Sequence, residues 1–243
     1  TPNTYVYNIV YKSTSGKALG TSTISGTFSS SKTVAPIDIT GYTKPASQTI
    51  KWDSVTAKTI IFVYTPITYS ITINNNGGTG VANRTYNIET PTFSIGTPTR
   101  VGYTFTGWTG TNGNTPQKTV TIPQGSIGNR NYTANWSINS YTLTFNANGG
   151  TVSPGSKALN YNSPYGTLPT PKRTGFTFVG WFTTASGGSQ VSASTKIGAG
   201  NVTIYAHWTN YNPEFTGPDV SKGDKNPILP FMDNGYLIIQ KGD

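Results

Sequence analysis

Short runs in which β-branched and aromatic residues recur, broken by glycine, proline and asparagine, cover most of this chain. Tyr69-Ser70-Ile71-Thr72-Ile73 alternates apolar and polar positions, as a half-buried strand does. Thr4 to Tyr11 is β-branched and aromatic and predicts an opening strand, with Ser13 to Lys17 as a turn and Thr21 to Phe28 as the return. Thr59 to Tyr64 predicts a closing strand that Pro66 breaks. Further strands are expected at Lys118 to Ile122, Asn131 to Trp136, Tyr141 to Phe145 and Ile204 to Trp208. Asn74-Asn75-Asn76-Gly77-Gly78 supplies the left-handed backbone positions of a turn.

These runs repeat. Gly102-Tyr103-Thr104-Phe105-Thr106-Gly107-Trp108 returns as Gly175-Phe176-Thr177-Phe178-Val179-Gly180-Trp181, so Trp108 and Trp181 stand 73 positions apart. Tyr69 and Tyr141, Gly77 and Gly149, and Trp136 and Trp208 keep an offset of 72. A period held across four landmarks is an internal repeat. It divides the chain into residues 1–66, 67–137 and 138–209, with 210–243 as a polar, acidic linker or the start of a further segment. The linker reading rests on the turn-rich stretch to Pro227; Tyr236 to Gln240 is expected to form a strand.

In Phe176-Thr177-Phe178-Val179-Gly180-Trp181, alternation puts both phenylalanines on one face. Gly180 is expected to relax the backbone at a bulge or strand end, so that Trp181 turns into the core. The aromatics are read as core rather than as a ligand platform, because they recur at the same place in each copy.

The ordered motifs of residues 138–209 carry a family resemblance. They run from Tyr141 to Phe145, through Asn148-Gly149-Gly150, Leu168-Pro169 and Pro171, to Arg173-Thr174-Gly175, Trp181, Gly187-Gly188 and Ile204 to Trp208. This segment resembles the internalin-type B-repeat of surface proteins, found in Gram-positive bacteria and some others. Residues 67–137 are similar, but lack the Gly-Gly after the central tryptophan and carry Thr133-Ala134 where the other copy has Tyr205-Ala206. Residues 1–66, with an opening strand, a central Gly41-Tyr42 and a closing Val63-Tyr64, resemble the mucin-binding-protein-type repeat. The resemblance implies a mainly β chain of tandem, small β-grasp-like (ubiquitin-like) modules with little or no helix, arranged as an elongated array.

Composition sharpens the context. The 28 glycines and 16 prolines favour strands and turns over helices. With no cysteine, disulfide frameworks and thiolate zinc sites are excluded. No run of about 18 apolar residues predicts a membrane span. The chain opens at Thr1 without a signal peptide and reads as an excised or mature fragment whose targeting signals lie elsewhere. The net charge of +9 is uneven: residues 1–209 hold 14 Lys and Arg against Asp38, Asp53 and Glu89, whereas 210–243 hold five acids against three lysines. The positive charges are dispersed, which reads as solvated surface rather than a nucleic-acid groove.

Enzyme chemistry finds little to work with. The only histidine, His207, lies between Ala206 and Trp208 and is expected to point outward, opposite Trp208. No acid stands between 142 and 209 to complete a triad. Glycosidase chemistry needs two placed carboxylates, and residues 67–209 offer Glu89 alone. Asp38 and Asp53 are read as solvated turn residues. Neither calcium loops nor phosphate loops occur, and intramolecular isopeptide bonds would lack their acid. We therefore expect no enzyme, no cofactor, no metal and no catalytic residue, and name no ligand-binding residue. The expected function is a semi-rigid stalk on the bacterial cell surface or in a secreted protein, with weak multivalent adhesion. The alternative is a recognition module for glycan, mucin or host protein. A monomer is expected, with host glycan, mucin, host protein or bacterial wall polymer as candidate partners and no nucleic acid.

Overall fold

The computed structural model describes residues 3–210, 229–233 and 236–240. Among them every regular element is a strand, so the described part of the chain is all-β. None forms a helix long and apolar enough to cross a membrane. The chain divides into two compact units, Thr1–Ser140 with Asn160–Asn162, and Tyr141–Leu159 with Ser163–Asp243.

The first unit opens with β1 (Thr4–Ser13), β2 (Ala18–Thr27), β3 (Ser31–Val34), β4 (Tyr42–Thr43), β5 (Gln48–Lys51) and β6 (Thr59–Pro66). Strand order is β2-β1-β6-β4, and β3 pairs separately with β5. β1 and β2 form an antiparallel hairpin, whereas β1 and β6 run parallel, Ile9 opposite Ile60 and Tyr11 opposite Phe62. Alternation does the sorting. Tyr7, Ile9 and Tyr11 of β1 and Phe62 and Tyr64 of β6 are buried, while Val6, Ile61 and Val63 face outward. Each buried side chain of this size contributes about 1.5–3 kcal/mol relative to exposure. Pro66 ends β6 opposite Tyr42, where the missing N–H is tolerated at the end of a strand.

The same unit continues with β7 (Tyr69–Asn74), β8 (Arg84–Tyr86), β9 (Phe93–Ser94), β10 (Tyr103–Gly110), β11 (Gly113–Gln117), β12 (Thr121–Ile122) and β13 (Arg130–Ile138). The sheet order is β11-β10-β13-β7-β8, again with a central parallel pair, β7 with β13. Ile71, Tyr86, Trp108, Val120, Ile122, Tyr132 and Ala134 form its core. The strand expected at Lys118 to Ile122 is reduced to Thr121–Ile122, because its only partner is the two-residue β9.

The second unit contains β14 (Ser140–Asn146), β15 (Ser156–Asn160), β16 (Phe176–Phe182) and β17 (Val202–Asn210), ordered β15-β14-β17-β16 around a parallel β14–β17 pair. Leu143, Phe145, Tyr165, Trp181, Ile197, Ile204 and Ala206 are its core. β18 (Leu229–Asp233) and β19 (Tyr236–Gln240) make an antiparallel hairpin, so the strand expected at Tyr236 to Gln240 forms. The linker expected at 210–227 lies, beyond Asn210, outside the described residues.

All three main sheets follow one β-grasp-like order: second strand, first strand, last strand, then the strand entered through Gly41-Tyr42, Gly102-Tyr103 or Gly175-Phe176. The expected bulge is present in both copies, where register slips between Phe105 and Gly107 and between Phe178 and Gly180. The slip turns Trp108 (0% exposed) and Trp181 (2%) inward. Phe105 and Phe178 meet them edge-on, with ring centroids 5.3 and 5.7 Å apart.

Candidate functional site

One side-chain constellation is built twice from the same parts. Each copy begins where the opening strand leaves its sheet. In the first unit, Asn76 (φ 50) and Gly77 (φ 81) take left-handed backbone conformations. Asn74 Oδ1 accepts from Asn76 N at 2.9 Å, an Asx turn that fixes the bend. Asn76 Nδ2 then donates to Ala134 O at 3.0 Å, and Trp136 Nε1 to Asn75 O at 3.1 Å. The second unit repeats each bond. Asn148 N donates to Asn146 Oδ1 at 2.9 Å, Asn148 Nδ2 to Ala206 O at 3.0 Å, and Trp208 Nε1 to Ala147 O at 2.9 Å.

The facing wall also recurs. Thr79 and Thr99 exchange two backbone hydrogen bonds of 2.9 Å, and Thr151 and Lys172 exchange two of 2.8 Å. Arg100 lies over the Tyr103 ring at 3.8 Å and donates through Nη1 to Asn76 O at 3.1 Å. Arg173 lies over the Phe176 ring at 3.7 Å, with Nη1 3.4 Å from Asn148 O. A Cβ on Gly77 or Gly149 would stand 3.2 Å from the guanidinium carbon, so the glycine makes room for the arginine.

The result is a shallow groove in each unit. In the second it is a cavity of about 400 Å³ lined by Gly149, Gly150, Thr151, Lys172, Arg173 and Thr174. In the first it measures about 600 Å³, and Tyr161 and Asn162 join Gly77, Gly78, Arg100 and Tyr103 in its lining. Two cations and no acid make the second groove basic. It can accept an anion or an aromatic face. Sequence reasoning missed both arginines as site residues. The available signal was an arginine placed three residues before the aromatic that enters the fourth strand of the common order, Arg100 before Tyr103 and Arg173 before Phe176.

The residues weighed earlier for chemistry are scattered. His207 points away from Trp208 as expected, yet it is half-buried rather than outward in water. It stacks on Phe182 with centroids 3.9 Å apart, and its Nε2 lies 3.0 Å from Thr184 O. Asp38 pairs with Lys44 at 2.7 Å and Asp53 with Lys58 at 2.5 Å, both on the surface and not with one another. The Lys58 hydrogen bond holds the Asp53 carboxyl below its ordinary range.

Glu89 has a defined place. Its Oε2 accepts from Ser15 Oγ at 2.6 Å and its Oε1 from the Tyr42 hydroxyl at 2.8 Å. The Ser15 bond, aided by Ser13, Tyr42 and nearby Lys17, lowers the carboxyl pKa against the opposing effect of burial. Tyr42, desolvated and bonded to that carboxylate, is pushed up to about 12. Glu89 therefore ties the strand entered at Gly41-Tyr42 to the segment that follows β8.

Comparison with known proteins agrees with this duplicated geometry. The Listeria–Bacteroides repeat domain matches residues 69–133 and again 141–207, together more than half of the chain. Internalin H of Listeria monocytogenes is 36% identical over 124 residues, covering 50% of this chain and 22% of that protein. A putative membrane protein of Evansella cellulosilytica is 27% identical over 165 residues, 64% of this chain and 24% of its own length. A putative Gly-rich membrane protein of the same organism is 28% identical over 147 residues, 58% of this chain and 16% of that protein. The chain thus spans less than a quarter of the length of each of these relatives. With both copies of the constellation falling inside or beside the matched segments, this protein belongs to the Listeria–Bacteroides repeat domain family.

Proposed function

We propose that residues 1–209 are three tandem β modules, 1–66, 67–137 and 138–209, of a bacterial cell-surface or secreted protein, followed by a linker or further segment at 210–243. They serve as a monomeric, semi-rigid stalk without enzymatic activity, adding weak adhesion through multivalency. The first module is of the mucin-binding-protein type, a reading supported by its opening strand, central Gly41-Tyr42 and closing Val63-Tyr64; its sheet order is that of the two repeats. The observation that carries the proposal is the duplicated set of bonds around Asn76 and Asn148. Its polar groups lock backbone to backbone, and the large aromatics fill cores, so the conserved chemistry of the two copies is spent on rigidity. Similarity to an internalin and to proteins described as membrane proteins supports the surface location.

A second reading has one observation in its favour. The groove at Gly149-Gly150 presents Lys172 and Arg173 and suits an acidic glycan or another anionic polymer, from the host or the bacterial wall. Binding of the full chain to mucin and to acidic and neutral glycans, at about 0.15 M and about 1 M salt, separates the two because salt screens exposed charge. Saturable binding that survives high salt and is lost in Lys172→Ala establishes recognition and ends the pure stalk. Binding that vanishes with salt is polyanion attraction, and absence of binding at either salt supports the stalk.

A further inference from the structure

Three glycines enter the same strand of the common sheet order with the same backbone: Gly41 (φ +82), Gly102 (φ +76) and Gly175 (φ +77). Each is followed by an aromatic residue, Tyr42, Tyr103 or Phe176. Two of these glycines are buried, and they are covered in the same way. Gly41 O accepts a hydrogen bond from Ile67 N at 2.9 Å, and Gly102 O accepts one from Asn139 N at 2.9 Å. Ile67 and Asn139 stand one repeat period apart. Ile88 then packs on Gly41, its Cδ1 2.6 Å from where a Cβ would stand, with Ile127 beside it. Tyr161 packs on Gly102 so closely that its ring overlaps the space of a Cβ. Ile88 and Tyr161 are 73 positions apart, the interval of the central tryptophans. The Tyr161 ring also meets Tyr103 edge-on, with centroids 6.0 Å apart.

Gly175 repeats the seat, and no described residue covers it. It is exposed, and among the described residues nothing lies within 4 Å of its Cβ position. Phe176 beside it is held by Arg173 as Tyr103 is held by Arg100. In all three the left-handed glycine closes a turn, with Phe176 N donating to Arg173 O at 3.2 Å, Tyr103 N to Arg100 O at 3.1 Å and Tyr42 N to Ile39 O at 3.1 Å. At Gly41 and Gly102 an apolar side chain is also seated on the bare α-carbon.

We propose that Gly175-Phe176 is a module-docking seat. It takes the apolar side chain, isoleucine or tyrosine, that a further copy of this repeat carries at the position of Ile88 and Tyr161. This deepens the tandem-module reading above and rests on it. The occupant is fixed by the chain's own precedent, since both covered seats receive a residue at that one repeat position. The seat is also specific in chemistry: a glycine α-carbon, a ring edge and a guanidinium face favour a flat or branched apolar group over a charged one.

The test inserts a copy of residues 139–210 directly after Asn210 in the full chain, which reproduces the spacing that follows Ile138. The readout is the NMR signals of Gly175 and Phe176. An aromatic ring seated on a glycine shifts its α-protons upfield, so Gly175 in the extended chain should take on the shifts of Gly102. The glycine of the inserted copy should keep those of the original Gly175. Replacing the tyrosine of the inserted copy that corresponds to Tyr161 by serine should return Gly175 to its starting shifts. Unchanged Gly175 signals beside a dispersed spectrum of the inserted copy overturn the proposal, as do shifted signals that persist with serine. If the inserted copy fails to fold, Tyr161→Ser in the parent chain decides. Gly102 must then lose its upfield shift, and an unaltered Gly102 overturns the seat. Salt-resistant glycan binding would end the stalk reading without moving Gly175, so the two proposals fail separately.

Discussion

Tyr161 lies on the α-carbon of Gly102, where its ring occupies the space that any side chain on that residue would need. The backbone completes the contact, with Tyr161 N donating to Asn139 O and Asn139 N to Gly102 O, both at 2.9 Å. Gly102→Ala must therefore meet two costs. Alanine at φ +76 costs roughly 1–2 kcal/mol on backbone grounds alone, and displacing a half-buried tyrosine adds to it. Gly175→Ala at φ +77 meets only the first, because among the described residues nothing lies within 4 Å of its Cβ position. Urea unfolding of both variants should place Gly102→Ala below Gly175→Ala by at least about 1 kcal/mol, the scale of a partly buried aromatic contact. Equal losses would show that the Tyr161 contact contributes nothing.

The two central tryptophans anchor their cores by more than area. Trp181 Nε1 donates to Pro169 O at 2.9 Å and Trp108 Nε1 to Gly96 O at 3.1 Å, so each indole ties a loop to the sheet. Trp181→Ala and Trp108→Ala should each cost about 3–5 kcal/mol. Trp181→Phe keeps most of the volume but strands the Pro169 carbonyl, a loss of about 1–3 kcal/mol. Chemical denaturation followed by near-ultraviolet circular dichroism checks this ranking, and a Phe variant as damaging as Ala would assign the whole effect to the hydrogen bond.

The tryptophan contacts were legible in the sequence because period, alternation and the glycine before each tryptophan all point to the same bulge. Other elements were hidden. β11 (Gly113–Gln117) is exposed at every position and contains Pro116, so it offers no apolar alternation and Thr115 as its single β-branched residue; it forms because β10 has a free edge. β15 (Ser156–Asn160) is similarly polar at alternate positions and short. Val120 and Ile122 do reach the core, yet most of their run lacks a strand to pair with. Glu89 stood out as the single acid of residues 67–209, but its partners Ser15 and Tyr42 are 74 and 47 positions away. Composition marks such a residue as unusual and says nothing about what it touches. His207 shows the reverse limit: alternation gave its direction correctly, while Phe182, which covers it, comes from the neighbouring strand.

The Glu89 cluster predicts a pH profile with two limbs. The folded carboxyl pKa lies below its ordinary value of 4.5, first because of the Ser15 hydrogen bond. Its stabilisation is thus fully present above the unfolded value and is lost as pH falls through the folded one. Tyr42 works in the other direction. Its hydroxyl ionises near 10 when unfolded and at about 12 when folded, so the unfolded chain binds fewer protons in that interval and stability falls as pH rises through it. Glu89→Gln should flatten the acid limb and narrow the alkaline one, which retains the larger contribution of Tyr42 burial. Unfolding free energies measured from acid to alkaline pH for the two proteins decide this, and an unchanged acid limb would remove Glu89 as its source.

The bulge glycines make a sharper comparison, because identical positions in the two repeats have different surroundings. A Cβ on Gly107 would stand 2.5 Å from Gln117 N and 2.7 Å from Pro116 C, both backbone atoms of β11. A Cβ on Gly180 would meet the side-chain amide of Gln190, a flexible end that can swing away. Backbone φ is similar, +143 and +157, so conformational cost alone predicts similar losses. Steric cost does not. Gly107→Ala should push β11 off β10, leave their pairing at Trp108 and Gln117 unmade, and cost roughly 1–3 kcal/mol more than Gly180→Ala, the usual range for overpacking. Hydrogen exchange should locate the damage, with faster exchange in β11 for Gly107→Ala and little change outside the Gln190 loop for Gly180→Ala. Loss of equal size in both variants would mean that φ, and not the approach of β11, sets the need for glycine at the bulge.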